Sequence, residues 1–332
     1  NSRCNSFRVL MSKIFVTGGS GFIGSHFQEK YPQDQLVIYD LKKPNFPFAS
    51  KSIAVQGDVR DFESLKKAMQ GCEVVLHLAA AHHDFGIERE EYFSVNENGT
   101  ELVCKAAAEL GINKIIFYSS VAVYGDTSAP TNDDTPPSPI RPYGESKLAG
   151  EKVLNRWAEQ DPERCVLVIR PTVVYGPRNL ANMYFLIRQI NSGLYFNIGK
   201  GDNIKSIAYV ENLVLCTLFL MDKMKPGVLT LNYTDEPHLS SRVIADEISK
   251  HLGRKKNLTI PLWMAVCMAY PFDILIAVTR KNLPISVNRV RKICTPTHHT
   301  SPGILKHGFV KKYTNYEGLK KMTEWYNQAF KK

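Results

Sequence analysis

The sequence predicts an α/β fold, a doubly wound parallel sheet with a smaller C-terminal lobe. Three observations carry that prediction. Short runs rich in Val, Ile and Phe recur through the first half, amphipathic stretches separate most of them, and the first run leads straight into a glycine-rich turn. The runs, in order, are "KIFVTG", "LVIYD", "SIAVQGD", "VVLHLAA", "KIIFYSS" and "CVLVIRPTVVYG", and the intervening stretches include "DFESLKKAM" and "GTELVCKAAAELG". Runs apolar on both faces belong to a parallel sheet covered by helices, and right-handed crossovers between such strands make the sheet doubly wound. After Gly176 the alternation gives way to mixed helix and loop, with late strands expected near "YFNIG" and "VLTLNYT". The expected organisation is an N-terminal extension over 1–10, a first domain over 11–178, and a region over 179–332 that is mainly the second lobe, with returning elements available to complete the sheet. The closing "TNYEGLKKMTEWY" reads as an amphipathic helix whose apolar face is structural.

A chain of 332 residues with 44% hydrophobic residues can bury a large core and suits one large α/β unit or two associated domains. The seven cysteines are scattered, with no CxxC or zinc-like grouping, so they read as reduced thiols in a cytoplasmic protein. The first ten residues, "NSRCNSFRVL", precede Met11 and lack the apolar run of a signal peptide. The formal charge of +10 is unevenly placed: from Lys250 onward there are 16 Lys and Arg against 3 Asp and Glu, and before it 26 against 29. That excess suggests an anionic partner near the C-terminal segment. Nucleic acid is disfavoured, because no recognition motif and no basic and aromatic interleaving accompany it; a phosphorylated substrate or a membrane surface ranks above it, and a solvated basic face above both. The apolar stretch over 261–278 is interrupted by Pro271 and Asp273 and is too short to span a bilayer. It reads as a helix pair covering the substrate pocket, with shallow peripheral membrane contact as the minority reading. His82 and His83 lack a third ligand at useful spacing, so no metal site is expected, and their loop is assigned to the edge of the reactive pocket.

In "TGGSGFIGSH", Gly18, Gly21 and Gly24 recur every third residue, and Gly19, Gly21 and Gly24 satisfy GxGxxG. Glycines there allow a tight turn, close approach of a pyrophosphate, and packing of the helix on the sheet. The helix start, with Phe22 and Ile23, supplies N–H donors to the phosphates. Asp40 follows about 20 residues on, at the end of the second run, where a carboxylate can take a ribose 2′-hydroxyl. It would repel a 2′-phosphate, so NAD is expected over NADP, with Lys42 and Lys43 as the opposing feature. Further on, "SPIRPYGESKLAGEKVL" puts Tyr143 and Lys147 four apart on one helix face, so that the ammonium can favour ionisation of the phenol and make it a general acid or base.

With "TGGSGFIG", "GDVRD", "HLAA", "NENGT", "YSSVAVYGD", "YGESK" and "RPTVVYGPR" in this order, the chain resembles the extended short-chain dehydrogenase/reductase family, the group of NAD-dependent epimerases and dehydratases built on a Rossmann domain. The resemblance implies that Asp58 and Val59 meet the adenine, that Leu78, Ala79 and Ala80 line the dinucleotide, and that Asn96 orders the central site. It also implies Pro171 beside the cofactor, Ser120 and Tyr143 as catalytic residues, and Lys147 on the nicotinamide ribose. A homodimer is expected.

Family 4,6-dehydratases carry Asp-Glu after the catalytic Ser or Thr, where this chain has Val121 and Ala122, so dehydration is disfavoured. Many nucleotide-sugar members have a substrate-contacting Asn where this chain has Val173, a version commoner among reductase-like members. The leading expectation is nucleotide-sugar epimerisation through a transient ketone, with His82, Arg178, Lys205 and Arg289 as substrate-contact candidates. The rivals are a net dehydrogenase or reductase of a hydroxysteroid-like or other carbonyl substrate, and a non-catalytic NAD-binding regulator.

Overall fold

The computed structural model describes residues 12–46, 51–82, 86–127, 129–279 and 286–330; the expected extension over 1–10 and His83 lie outside them. Seven parallel strands form the central sheet: β1 (Ile14–Thr17), β2 (Leu36–Asp40), β3 (Ile53–Gln56), β4 (Val74–His77), β5 (Lys114–Tyr118), β6 (Cys165–Pro171) and β7 (Gly227–Tyr233). Their order is β7-β6-β5-β4-β1-β2-β3. The strand order therefore reverses beside β1, which pairs with both β4 and β2, and a parallel sheet binds ligands at such a switch point, outside the carboxyl ends of its strands.

Alternation along the strands sends side chains to two cores. Ile14, Val16, Leu36 and Ile38 pack on one face with Phe27 of α1 (Phe22–Lys30) and Leu213 of a later helix, Val210–Met221. Phe15, Val37 and Tyr39 pack on the other with Leu65 of α2 (Phe62–Met69), Val103 of α3 (Gly99–Glu109) and Leu154 of α4 (Pro142–Glu159). Period-two burial on both sides is the physical content of a doubly wound sheet.

The expected run "CVLVIRPTVVYG" divides. Thr172 N–H is taken by Tyr233 O at 3.0 Å, after which Val173–Tyr175 pairs with Ile207–Tyr209 in a separate two-stranded sheet. The expected strand in "VLTLNYT" returns to the main sheet as β7, in register from Gly227 opposite Cys165 to Tyr233 opposite Pro171. A third core, with Ile187 of α5 (Asn182–Asn191), Ile244 of α7 (Ser241–His251, α6 being Val210–Met221) and Leu319 near the C-terminus, holds the second lobe together.

The apolar stretch over 261–278 differs from its expectation. It is one continuous helix, α8 (Leu262–Thr279), with Pro271 inside. Proline removes one helix hydrogen bond without ending the helix. Asp273, half-buried, accepts the Val287 N–H at 3.3 Å at the start of α9 (Val287–Cys294). The last helix, α10 (Asn315–Phe330), packs against α7.

Candidate active site

The site is assembled at the carboxyl ends of β1, β4, β5 and β6. Gly18 leaves β1 with φ +67°, and a Cβ on it would lie 2.6 Å from the Ala79 nitrogen. The turn and the loop after β4 therefore touch backbone to backbone, which excludes any side chain. Gly21, at the N-cap of α1, offers no side-chain cap, so the N–H groups of the first turn are left for an anion. Asp40 accepts the N–H of Ser20 at 3.0 Å and of Lys42 at 3.1 Å, while Ser20 Oγ donates to Lys42 O at 2.6 Å. The carboxylate at the end of β2 thus also ties down the glycine-rich turn. These features fit a dinucleotide: an uncapped helix start for its phosphates, a glycine floor that admits its backbone approach, and a fixed carboxylate one strand away.

The loop after β4 is equally determined. Leu78 N–H donates to Thr17 O at 3.0 Å and Ala79 N–H to Thr17 Oγ1 at 3.2 Å. His77 lies between Thr17 Oγ1 (2.6 Å) and Thr100 Oγ1 (3.1 Å), and burial pushes it down to about 3, so it is a neutral linker. Asn96, fully buried, accepts the Ala81 N–H at 2.8 Å and donates to Ala81 O at 3.0 Å and Ser146 Oγ at 2.9 Å. Its amide joins the loop of Ala79, Ala80 and His82 to α4. Val59 is buried, whereas the Asp58 carboxylate is held by Arg60 at 2.6 Å, whose hydrogen bonds keep its pKa below the usual carboxylate range.

Ser120 follows β5 in extended conformation, and its Oγ accepts the Ala122 N–H at 3.1 Å, capping the short turn Val121–Tyr124. Opposite it, Pro142 occupies the first turn of α4, where its fixed φ suits a helix start. Gly144 is the contact point: a Cβ there would collide with the Ala122 carbonyl oxygen. The absence of that Cβ lets the helix start carrying Tyr143 close on the turn carrying Ser120. Tyr143 lies 6.2 Å, ring to ring, from Tyr92. One turn on, Lys147 is 1% exposed, with Nζ 4.0 Å from the Phe117 ring centroid. Burial drives its pKa down to about 7, against the pull of Glu151.

The structure thus brings Gly18, Gly21, Phe22, Ile23, Gly24, Asp40, Leu78, Ala79, Ala80, Asn96, Ser120, Tyr143, Lys147 and Pro171 to one end of the sheet. Arg178 is turned elsewhere: with φ +72° it donates from Nε to Ser25 Oγ at 3.1 Å and pairs with Glu29 at 2.8 Å, both on α1. Its charge clamps the lobe's first segment to the sheet domain. Lys205 donates to Thr295 O at 2.5 Å within the lobe. Arg289 is on α9, and its side chain lies outside the described residues.

The family model of NAD-dependent epimerases and dehydratases matches residues 14–232. The chain belongs to that family. It is 35% identical over 314 residues, 94% of each chain, to the N-acetyl-α-D-glucosaminyl-diphospho-ditrans,octacis-undecaprenol 4-epimerase of Escherichia coli O157:H7. It is 26% identical over 270 residues, 78% of this chain and 82% of the other, to the UDP-glucose 4-epimerase of Vibrio cholerae. The solved structure of MoeE5 in complex with UDP-glucuronic acid and NAD shares its fold, with TM-score 0.75 and 22% identity over 95% of this chain and 99% of that one. The protein is an NAD-dependent enzyme of the extended short-chain type.

In this family member the site rests on a buried network that motif reading missed. Glu151, one turn beyond Lys147, accepts from Ser119 Oγ, from Arg170 Nε at 2.9 Å and from the second Arg170 nitrogen at 2.6 Å. Arg170 also donates to Tyr124 Oη at 2.9 Å, which donates to Asn232 Oδ1 at 2.7 Å on β7. The only sequence signal for this network was charged residues in segments otherwise destined for the core: Arg170 inside a strand, Glu151 on the buried face of a helix.

Proposed function

We propose that the enzyme inverts a secondary alcohol of a sugar joined to its carrier through a diphosphate, a nucleotide sugar in the first instance, by way of a transient ketone. The turn after Ser120 carries this reading. Elimination needs a further acid and base to remove a carbon-bound proton and expel a hydroxyl, and Val121 and Ala122 offer neither. Epimerisation needs one proton carrier on the reacting hydroxyl and a site in which the ketone can be reduced on its other face.

When bound, NAD supplies the hydride acceptor and, on the return step, the donor. The start of α1 would hold its phosphates and Asp40 a ribose hydroxyl. Tyr143 takes the proton of the substrate hydroxyl as the ketone forms and returns it as the alcohol re-forms. Ser120 Oγ, fixed by the Ala122 N–H, holds the same oxygen. Lys147, as an ammonium, would meet the nicotinamide ribose and favours the phenolate. His82 and Lys205 are retained as candidate substrate contacts.

Val173, 46% exposed where a substrate-contacting Asn stands in many nucleotide-sugar members, favours the rival of a net dehydrogenase or reductase. The deciding experiment incubates the protein with NAD and a panel of sugar diphosphates, nucleotide-linked and polyprenol-linked, following both the product and the absorbance of NADH. An isomerised sugar with no net NADH supports the epimerase; NADH in step with a ketone product replaces it with the dehydrogenase.

The reading includes a cytoplasmic homodimer with peripheral membrane contact. The six cysteines among the described residues are free thiols, which supports a reducing compartment. Light scattering of the purified protein tests the dimer.

A further inference from the structure

Helix α8 breaks the rule that the rest of the molecule keeps. Its 18 residues have mean hydropathy 1.8, yet only 11% of them are buried. Ala265 and Ala269, one turn apart, pack on Val290 of α9, and the remaining faces are open: Trp263 is 66% exposed, Tyr270 62%, Ile274 55% and Val278 76%. An apolar helix bare on most of its circumference marks an interaction surface.

We infer that the α8–α9 hairpin is a membrane foot, which lies in one leaflet of an anionic bilayer and seats the enzyme on the lipid surface. Three features select that partner. Exposed Arg254, Lys255 and Lys256 precede the helix, and Arg291 is exposed on α9. From Lys250 to Tyr316 there are 12 Lys and Arg and one acid, Asp273, which is occupied in capping α9. Two copies of so cationic a surface repel each other, whereas anionic headgroups attract it. Trp263 and Tyr270 are the aromatic types that settle at a membrane interface.

The hairpin cannot cross the bilayer. Its entry is pinned by Thr259–Ile260 pairing with Asn197–Ile198, and its exit by Thr297 N–H donating to Ile204 O at 2.9 Å, both in the same lobe. The returning α9, at 8 residues, spans about 12 Å against a hydrocarbon core of about 30 Å. Both ends therefore stay on one side.

Cys294, the last residue of α9, lines a cavity of about 410 Å³ with Asp202, Asn203 and His298 and with Thr127, Ala129 and Pro130, which follow Ser120 in sequence. A sugar diphosphate on a lipid carrier would enter from that side, a consequence that rests on the epimerase reading above; the foot itself does not.

The full chain should float with vesicles of phosphatidylglycerol and phosphatidylethanolamine and stay behind with phosphatidylcholine alone. Brominated acyl chains should quench its tryptophan fluorescence, and the quenching should vanish in Trp263→Phe, since Trp157 is buried and Trp325 half-buried. The variant Trp263→Glu, Leu275→Glu, Val278→Glu should lower vesicle partitioning by at least about a hundredfold. Lys255→Glu, Lys256→Glu, which leaves the apolar faces untouched, should lower it by about tenfold or more. Flotation without quenching, or abolished by moderate salt, would mean adsorption of basic side chains alone and overturn the embedded foot. So would a shift of the triple variant from dimer to monomer with vesicle binding unchanged, because α8 would then be covered by a second copy. Flotation reads the surface and product analysis reads the reaction: a floating protein that converts no sugar keeps the foot and sinks the epimerase, and a sugar-converting protein that ignores vesicles does the reverse.

Discussion

Lys147 and Arg170 are both buried cations beside Glu151, and the fold treats them in opposite ways. Arg170 gives two hydrogen bonds to the Glu151 carboxylate and a third to Tyr124. Burial pulls its pKa down, and the bonds and charge of Glu151 more than offset that, leaving it above its ordinary value. Lys147 lies over an aromatic ring, and Glu151, already engaged, only partly opposes the fall to about 7. The difference separates structure from chemistry. A buried charge whose partners come from the protein holds elements together, and one left short of partners is poised for a ligand.

If that division is right, changes on the Tyr143–Lys147 side should remove chemistry and spare the fold, and changes on the Glu151–Arg170 side should do the reverse. The largest expected effect is Tyr143→Phe. Turnover should fall by about 10²–10⁴-fold while NAD affinity is kept, since the ring remains and Lys147 is untouched. Single-turnover kinetics with separate NAD titration read this, and full turnover in the variant would break the division at once.

Glu151→Ala comes next. It leaves the Arg170 guanidinium buried without its carboxylate and should cost about 3–5 kcal/mol in urea unfolding. A change within about 0.5 kcal/mol, the range of an ordinary surface substitution, would show that the pair is not structural. Gly144→Ala tests the seam between the two groups. The added methyl meets the Ala122 carbonyl, so it should cost about 1–3 kcal/mol of stability, and by displacing Ser120 from Tyr143 it should slow turnover up to about a hundredfold. Asp40→Ala should have the smallest effect of these. It should weaken NAD about tenfold through the lost hydroxyl contact and the loosened Ser20 turn, and narrow the gap to NADP. Equal NAD and NADP affinities in the unaltered protein would contradict the role given to Asp40.

How much of this was legible in the sequence follows from what makes a pattern local. The sheet was readable because each strand is a short apolar run and each crossover an amphipathic helix, and the glycine-rich turn was readable because its chemistry is contained in ten consecutive residues. The return of Gly227–Tyr233 to β6 could be read only as a late strand, since its pairing is set by packing some 60 residues from its partner. Glu151 and Arg170 looked like ordinary charges until the fold brought them together. Arg178 illustrates the same limit from the other side: position in a motif suggested the substrate, while a left-handed backbone turns the side chain to Glu29. Pro271 looked like a break, but a single lost hydrogen bond does not end a helix anchored at its start and packed on α9.

Among the described residues Lys147 has a ring contact and no hydrogen-bond partner, and the cofactor is the partner proposed to complete it. In the free protein its amine is neutral above about pH 7. Hydrogen bonds from the ammonium to the ribose hydroxyls would favour the charged form and raise that pKa, so binding takes up a proton at higher pH and affinity falls as pH rises. The decisive measurement is calorimetric titration of NAD from roughly pH 6 to 9, in buffers of different ionisation enthalpy. Up to one proton should be taken up above neutrality, with the dissociation constant rising by as much as about tenfold per pH unit, and Lys147→Met should flatten the dependence. A dissociation constant independent of pH, with no proton taken up by the unaltered protein, would contradict the claim.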